Sequence, residues 1–115
     1  MITIEEIRSY ITYLPETEEH PHFEKVSFRI KKKIFTTIDT KKGVLVAKLT
    51  LADQSVFSAF DKAIIYPVPG AWGKHGWTMI NMKQVRKNMC KDVIQCAYGT
   101  TAPKTLLAKL PGYKK

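Results

Sequence analysis

The run Trp72-Gly73-Lys74-His75-Gly76-Trp77 gathers most of the side chains in this chain that could do chemistry. It holds both tryptophans, a cation and a histidine, on backbone that two glycines leave free to turn. An exposed tryptophan there could stack on a nucleobase while Lys74 meets a phosphate. His75 could act as a lone general base, but no acid nearby is placed to orient it. The plainer reading is architectural. Trp77 opens a strand with its ring toward the core, and Gly73 and Gly76 let the chain turn. For Trp72, in irregular chain between Pro69 and Gly73, both readings stand.

Other reactive groups are sparse. His20-Pro21-His22 sets two histidines on the same side of an extended segment flanked by glutamates. It supplies no clear third ligand, so no metal is expected there. Cys90 and Cys96 are the only cysteines, six positions apart on an expected helix. That spacing turns them about 120° from each other, which suits buried free thiols better than a disulfide or a shared metal. There is no Ser/His/Asp arrangement, P-loop or dinucleotide fingerprint. The chain therefore reads as a non-enzymatic protein without a cofactor.

Charge is more informative. The 115 residues carry 19 Lys+Arg against 10 Asp+Glu, a net charge of +9. Residues 1–24 hold one basic side chain and six acidic ones, whereas residues 25–115 hold eighteen and four. Such a basic segment attracts polyanions, of which nucleic acid is the commonest in a cytoplasm. The lysines fall in clusters: Lys31, Lys32 and Lys33; Lys41 and Lys42; Lys74 beside His75; and Lys83, Lys87 and Lys91 at helical spacing. A solvated lysine face is the plain alternative for the last group. The N-terminal residues lack the basic and apolar regions of a signal peptide, and no apolar run approaches a membrane span, so a cytoplasmic protein with no membrane partner is expected.

The elements that must position these residues follow from periodicity. Thr3-Ile4-Glu5-Glu6 is a capping box, and Ile4, Ile7, Tyr10, Ile11 and Leu14 form one helix face that Pro15 ends. Residues 16–24 read as a polar connection. From Lys25 the period becomes two: Val26, Phe28 and Ile30 face one way, and Lys25, Ser27, Arg29 and Lys31 make a basic outer face. Strands over 34–39 and 44–51 complete a meander, with turns at Lys31, Lys32 and Lys33 and at 40–43, where Gly43 is free to take positive φ. The two turns lie at opposite ends of the strands, so one long polyanion could touch both but a small anion could not bridge them. Asp53 is expected to cap a short helix to about residue 62, and a brief strand follows over 63–67. Residues 77–82 form a fifth strand, and an amphipathic helix runs over 83–98 with Gly99 as its C′ residue. Leu106, Leu107 and Leu110 form a last short helix before a tail over 111–115. One α+β domain over residues 1–115 is expected, an antiparallel sheet of about five strands packed by N-terminal and C-terminal helices.

The order of these pieces resembles the MmcQ/YjbR family of small bacterial proteins. The resemblance rests on Leu14-Pro15-Glu16, Phe28, Lys33-Ile34-Phe35-Thr36-Thr37, Val46-Ala47-Lys48-Leu49, Gly73-Lys74-His75-Gly76-Trp77 and Ala97-Tyr98. It covers nearly the whole chain. It implies an α+β fold described as a double-wing DNA-binding arrangement, with the hairpins around Lys31, Lys32, Lys33 and around Lys41 and Lys42 as wings. Members often carry a serine where this chain has Ala97, so no hydroxyl role carries over there.

The leading expectation is a DNA-binding protein with weak sequence specificity. Lys31, Lys32, Lys33, Lys41, Lys42, Lys74, Lys83, Lys87 and Lys91 would contact phosphates, with Trp72 and His75 in the same interface. Two alternatives belong to other classes. One is a protein-interaction domain whose acidic N-terminal segment and basic remainder meet in a homodimer. The other is a small-molecule pocket at the Gly/Trp run using His75.

Overall fold

The computed structural model describes residues 2–22 and 24–107; the expected contribution of Leu110 and the tail over 111–115 lie outside them. Helix α1 (Ile4–Thr12) starts as expected: Glu6 N–H donates to Thr3 Oγ1 at 3.2 Å, and Thr3 N–H donates back to Glu6 Oε1 at 3.1 Å. Strands β1 (Thr17–His22), β2 (Lys25–Ile30), β3 (Lys33–Asp39) and β4 (Val44–Lys48) form an antiparallel meander. Helix α2 (Leu51–Ser58), strand β5 (Ile65–Pro67), a single helical turn α3 (Ala71–Lys74) and strand β6 (Trp77–Asn81) follow. Helices α4 (Lys87–Thr101) and α5 (Lys104–Leu107) complete the described chain. The sheet order is β1-β2-β3-β4-β6-β5, antiparallel throughout.

The sheet therefore has six strands, one more than the expected five. The addition is β1, whose Thr-Glu-Glu-His-Pro-His sequence has little strand propensity of its own. It forms because β2 offers an unpaired edge, and Pro21 is tolerated because β1 is the outermost strand.

Three expected boundaries move for local reasons. Thr50, not Asp53, caps α2, its hydroxyl accepting from Asp53 N–H at 3.1 Å, so β4 ends at Lys48 and the helix at Ser58. Helix α4 begins at Lys87, not residue 83. Asn81 Oδ1 accepts from Lys83 N–H and Asn81 O accepts from Gln84 and Val85 N–H, which ties the intervening residues into a turn. Gly99 does not end α4 but lies inside it. The stop comes at Ala102, which Pro103 drives into extended backbone (φ −71, ψ 144).

A bulge in β3 shapes the core. Phe28 pairs with Thr36 but Arg29 with Ile34, so Phe35 is an extra residue. Both Phe35 and Thr36 consequently lie buried on the same side. Phe35 meets Tyr98 of α4 edge-on, with centroids 5.9 Å apart, and Tyr98 Oη donates to Pro15 O at 2.7 Å. Ile38, Leu45, Ala47 and Ile80 continue this face under Val93, Ile94 and Ala97 of α4, with α1 packed on α4 through Ile7 and Ile11. The result is two layers with all the long helices on one side.

Candidate functional site

Among the described residues, the other face of the sheet carries no helix. Register places its side chains in three cross-strand rows. The middle row is Tyr66, Met79, Val46, Thr37, Ser27 and His20. One flank holds Trp77, Lys48, Ile34, Arg29 and Glu18, with the β3 bulge between Lys48 and Ile34; the other holds Asn81, Val44, Asp39 and Lys25. Most of these side chains are half-exposed. Asp39 is engaged locally, accepting from Lys42 N–H at 3.0 Å, and Glu18 pairs with His20 at 3.0 Å. Among the described residues Lys25, Arg29 and Lys48 have no carboxylate partner. The middle of this open face is apolar at Tyr66, Met79 and Val46 and polar beyond them; one flank carries Lys48 and Arg29 with Glu18 opposite Arg29, and on the other Lys25 stands opposite Asp39.

The lysines expected to contact phosphate divide into three places. Lys31, Lys32 and Lys33 stand at one end of the strands, the end that also carries Lys48, Trp72, Lys74 and His75. Lys41 and Lys42 stand at the other end, where the methylenes of Lys83 lie against Gly43. The length of β3 separates the ends by about 20 Å. Lys87 and Lys91 lie apart from both groups, in the helical layer. Lys87 Nζ is 2.7 Å from Glu6 Oε2, and Lys91 Nζ is 5.8 Å from the Tyr10 ring centre. Their hydrogen bond holds the Glu6 carboxyl below its usual range, helped by Thr3 N–H, and raises Lys87. Because Lys83 lies outside α4, the expected lysine ladder along one helix does not form.

Three of these lysines have glutamate partners from the acidic N-terminal stretch. Besides Lys87, Lys31 Nζ is 3.4 Å from Glu16 Oε1 and Lys41 Nζ is 3.5 Å from Glu24 Oε1. Exposed pairs of this kind contribute little to stability. Lys32, Lys33, Lys42, Lys74, Lys83 and Lys91 have no such partner among the described residues.

The Gly/Trp run, expected as irregular chain, is built tightly. A Cβ on Gly73 would lie 2.0 Å from Val68 O, and one on Gly76 would lie 1.9 Å from Leu49 O. Gly76 also takes φ 99, so neither position accepts another residue without rearrangement. Buried Gln54 of α2 reaches across, its Nε2 donating to Gly73 O at 3.0 Å, Thr78 Oγ1 at 3.1 Å and Trp77 O at 3.2 Å. Thr78 Oγ1 donates on to Gly76 O at 3.0 Å. Trp77 is half-buried with Lys48 Nζ 5.6 Å from its ring centre, and Lys48 also donates to His75 O. Trp72 remains 65% exposed, edge-on to Trp77 with centroids 6.2 Å apart.

The alternative chemistries gain little. The His75 ring is exposed and hydrogen-bonds no carboxylate among the described residues. The open groove beside it is lined by Leu51, Pro67, Val68, Pro69, Gly73 and Lys74 among others, without His75 or an acid. Among the described residues no three metal-ligating side chains converge. Burial pushes the Cys90 thiol up to about 12 and Cys96 to about 11, which leaves both unreactive near neutral pH.

The YjbR family model matches residues 12–100. The chain belongs to the YjbR family. This YjbR-family protein is also similar to the crystal structure of the Deinococcus radiodurans protein DR2400, described as a DUF419-domain protein. The TM-score is 0.80 at 19% identity, over 100% of this chain and 96% of that one. At that identity the likeness speaks for the fold. No curated protein matches. No helix among the described residues is long and apolar enough to cross a membrane.

Sequence reasoning singled out the conspicuous lysine clusters but passed over Lys25, Arg29 and Lys48 as site residues. The signal was present, because alternation along β2 already put Lys25 and Arg29 on an outer face. What it lacked was knowledge that no helix covers that face.

Proposed function

We propose that this YjbR-family protein binds nucleic acid, DNA by preference, on the open face of its sheet and performs no chemistry on it. The observation that carries this reading is the uncovered face itself, where Lys25, Arg29 and Lys48 flank the row of Tyr66, Met79 and Val46 and, among the described residues, form no ion pair with a carboxylate. The Lys31-Lys32-Lys33 and Lys41-Lys42 turns extend that charge at both ends. A polyanion laid along the strands would meet all of these groups over about 20 Å. Lysine contacts of this kind supply affinity and register but little base reading, which fits weak sequence specificity in a cytoplasmic protein. Lys87 and Lys91 become secondary, since they lie in the helical layer beside Glu6 and Tyr10.

Fluorescence anisotropy with a labelled oligonucleotide, read as salt rises from about 50 to about 200 mM, tests this. Affinity should fall with a log-log slope of about −0.9 per phosphate neutralised on duplex, or about −0.7 on a single strand. Changing Lys25, Arg29 and Lys48 together to Ala should make the slope shallower by two to three such increments. Lys87→Ala with Lys91→Ala should leave it nearly unchanged. Absence of binding at the lowest salt would overturn the proposal.

A further inference from the structure

We infer that the strand taken by this face is single and that Trp72 stacks on one of its unpaired bases; the inference rests on the nucleic-acid binding proposed above. Its starting point is a contradiction within the Gly/Trp run. Two glycines in forbidding contacts, a buried glutamine and a buried threonine all hold α3 in one pose, yet the large side chain that α3 carries is left in solvent. Trp72 is 65% exposed, whereas the neighbouring Trp77 is half-buried. The rigidity is that of a positioned group. Gly76 N–H donates to Gly73 O at 3.1 Å, Leu49 N–H donates to Gly76 O at 2.9 Å, and Val68 N–H donates to Trp77 O at 3.0 Å. An aromatic ring fixed in this way loses little conformational freedom when a flat partner settles on it.

The surroundings favour a nucleobase as that partner. Trp77 backs Trp72 edge-on at 6.2 Å, and Lys48 already occupies the neighbourhood of the Trp77 ring. Trp72 is therefore the tryptophan with surface to spare. Lys74 stands exposed on the same turn, and Lys48 joins this corner to the cationic flank of the sheet. A backbone following that flank would put its phosphates near Lys48 and Lys74 and a base within reach of Trp72. In a duplex, both faces of each base are already stacked on neighbours. Only an unpaired base can lie on a tryptophan, and base-aromatic stacking of this kind is tolerant of sequence.

The test compares one mixed-sequence single-stranded oligodeoxynucleotide with the same sequence annealed to its complement, at equal salt. The single strand should bind about ten-fold more tightly and quench tryptophan fluorescence. Trp72→Ala should remove that preference, and Trp72→Phe should restore part of it. Both variants should keep the salt slope and the thermal midpoint, since the ring lies outside the core. Equal or tighter duplex binding, or a Trp72→Ala variant that retains the preference, would overturn the inference while leaving nucleic-acid binding in place. No binding of either form would remove the underlying proposal and this inference together.

Discussion

Gln54 is the residue on which the presentation of Trp72 depends. Its amide nitrogen shares two N–H groups among three acceptors on α3 and β6, and it is 8% exposed, so water has little access to take its place. Gln54→Leu keeps the volume but removes this donor: Gly73 O and Trp77 O keep Gly76 N–H and Val68 N–H, and buried Thr78 Oγ1 loses the bond from Gln54. The change should lower stability by about 1–3 kcal/mol, measured by urea unfolding, with the m-value unchanged. Single-strand binding should weaken as well, because α3 loses its tether to α2. Little of this network was legible beforehand. Trp72, Gly73 and Gly76 stand out in any reading of the chain. Gln54 does not, because its importance lies in carbonyl and hydroxyl groups 19 to 24 residues away that converge only when the sheet forms. Cys90 illustrates the opposite case: helical spacing and an apolar neighbourhood already predict a buried thiol. Because burial pushes the two thiols up to about 12 and about 11, a disulfide reagent at pH 8 should label Cys96 slowly, and Cys90 only after denaturation. Raising the pH toward 11 should accelerate the Cys96 reaction first, as its thiolate becomes populated.

At the scale of elements, the β2–β3 hairpin stands apart. Its two loop residues are Lys31 (φ 49) and Lys32 (φ 72), closed by the Ile30–Lys33 pair. Positive φ at both central positions is the pattern of a type I′ turn, which favours Asn-Gly and costs a residue with a Cβ about 1 kcal/mol or more at each site. Two lysines there sacrifice stability to place two cations on a hairpin tip. Changing Lys31-Lys32 to Asn-Gly should therefore raise stability by about 1–2 kcal/mol, read from the shift in the unfolding midpoint. The same change should weaken oligonucleotide binding and flatten its salt dependence. A variant that is both more stable and equally avid would show that the turn residues have no binding role. The hairpin was legible from alternating Val26, Phe28 and Ile30, as were α1 from its capping box and the β3–β4 turn from Gly43. Elements set by a neighbour's hydrogen-bonding groups rather than by their own side-chain pattern were not. Strand β1 exists through pairing with β2, and the start of α4 is set by Asn81 side-chain and backbone acceptors that outweigh the helical spacing of Lys83 with Lys87.

For the whole molecule, the decisive feature is where the acidic N-terminal segment sends its charge. In sequence, six acids within 24 residues facing a basic remainder could join two copies head to tail. In the fold the segment turns inward on its own chain. Glu6 meets Lys87, Glu16 meets Lys31, Glu24 meets Lys41, and Glu19 forms a two-point contact with Arg8 at 2.7 and 2.9 Å. Few acids remain to attract a second copy. The open sheet face is the other candidate for self-association, since Val44, Val46, Met79 and Tyr66 give it an apolar centre. Each copy would bring Lys25, Arg29 and Lys48 to that contact, and like charges repel most at low salt, where the Debye length is longest. The two modes thus respond to salt in opposite directions. A dimer joined through acidic and basic segments weakens as salt rises, whereas one joined through the sheet face strengthens. The protein should sediment as a 13.1 kDa monomer at low salt, with no dependence on concentration in the micromolar range. Adding the single-stranded oligonucleotide should produce a one-to-one complex without bringing in a second copy. A low-salt dimer that dissociates on adding salt would revive the head-to-tail reading. A dimer that tightens with salt and excludes the oligonucleotide would assign the sheet face to self-association.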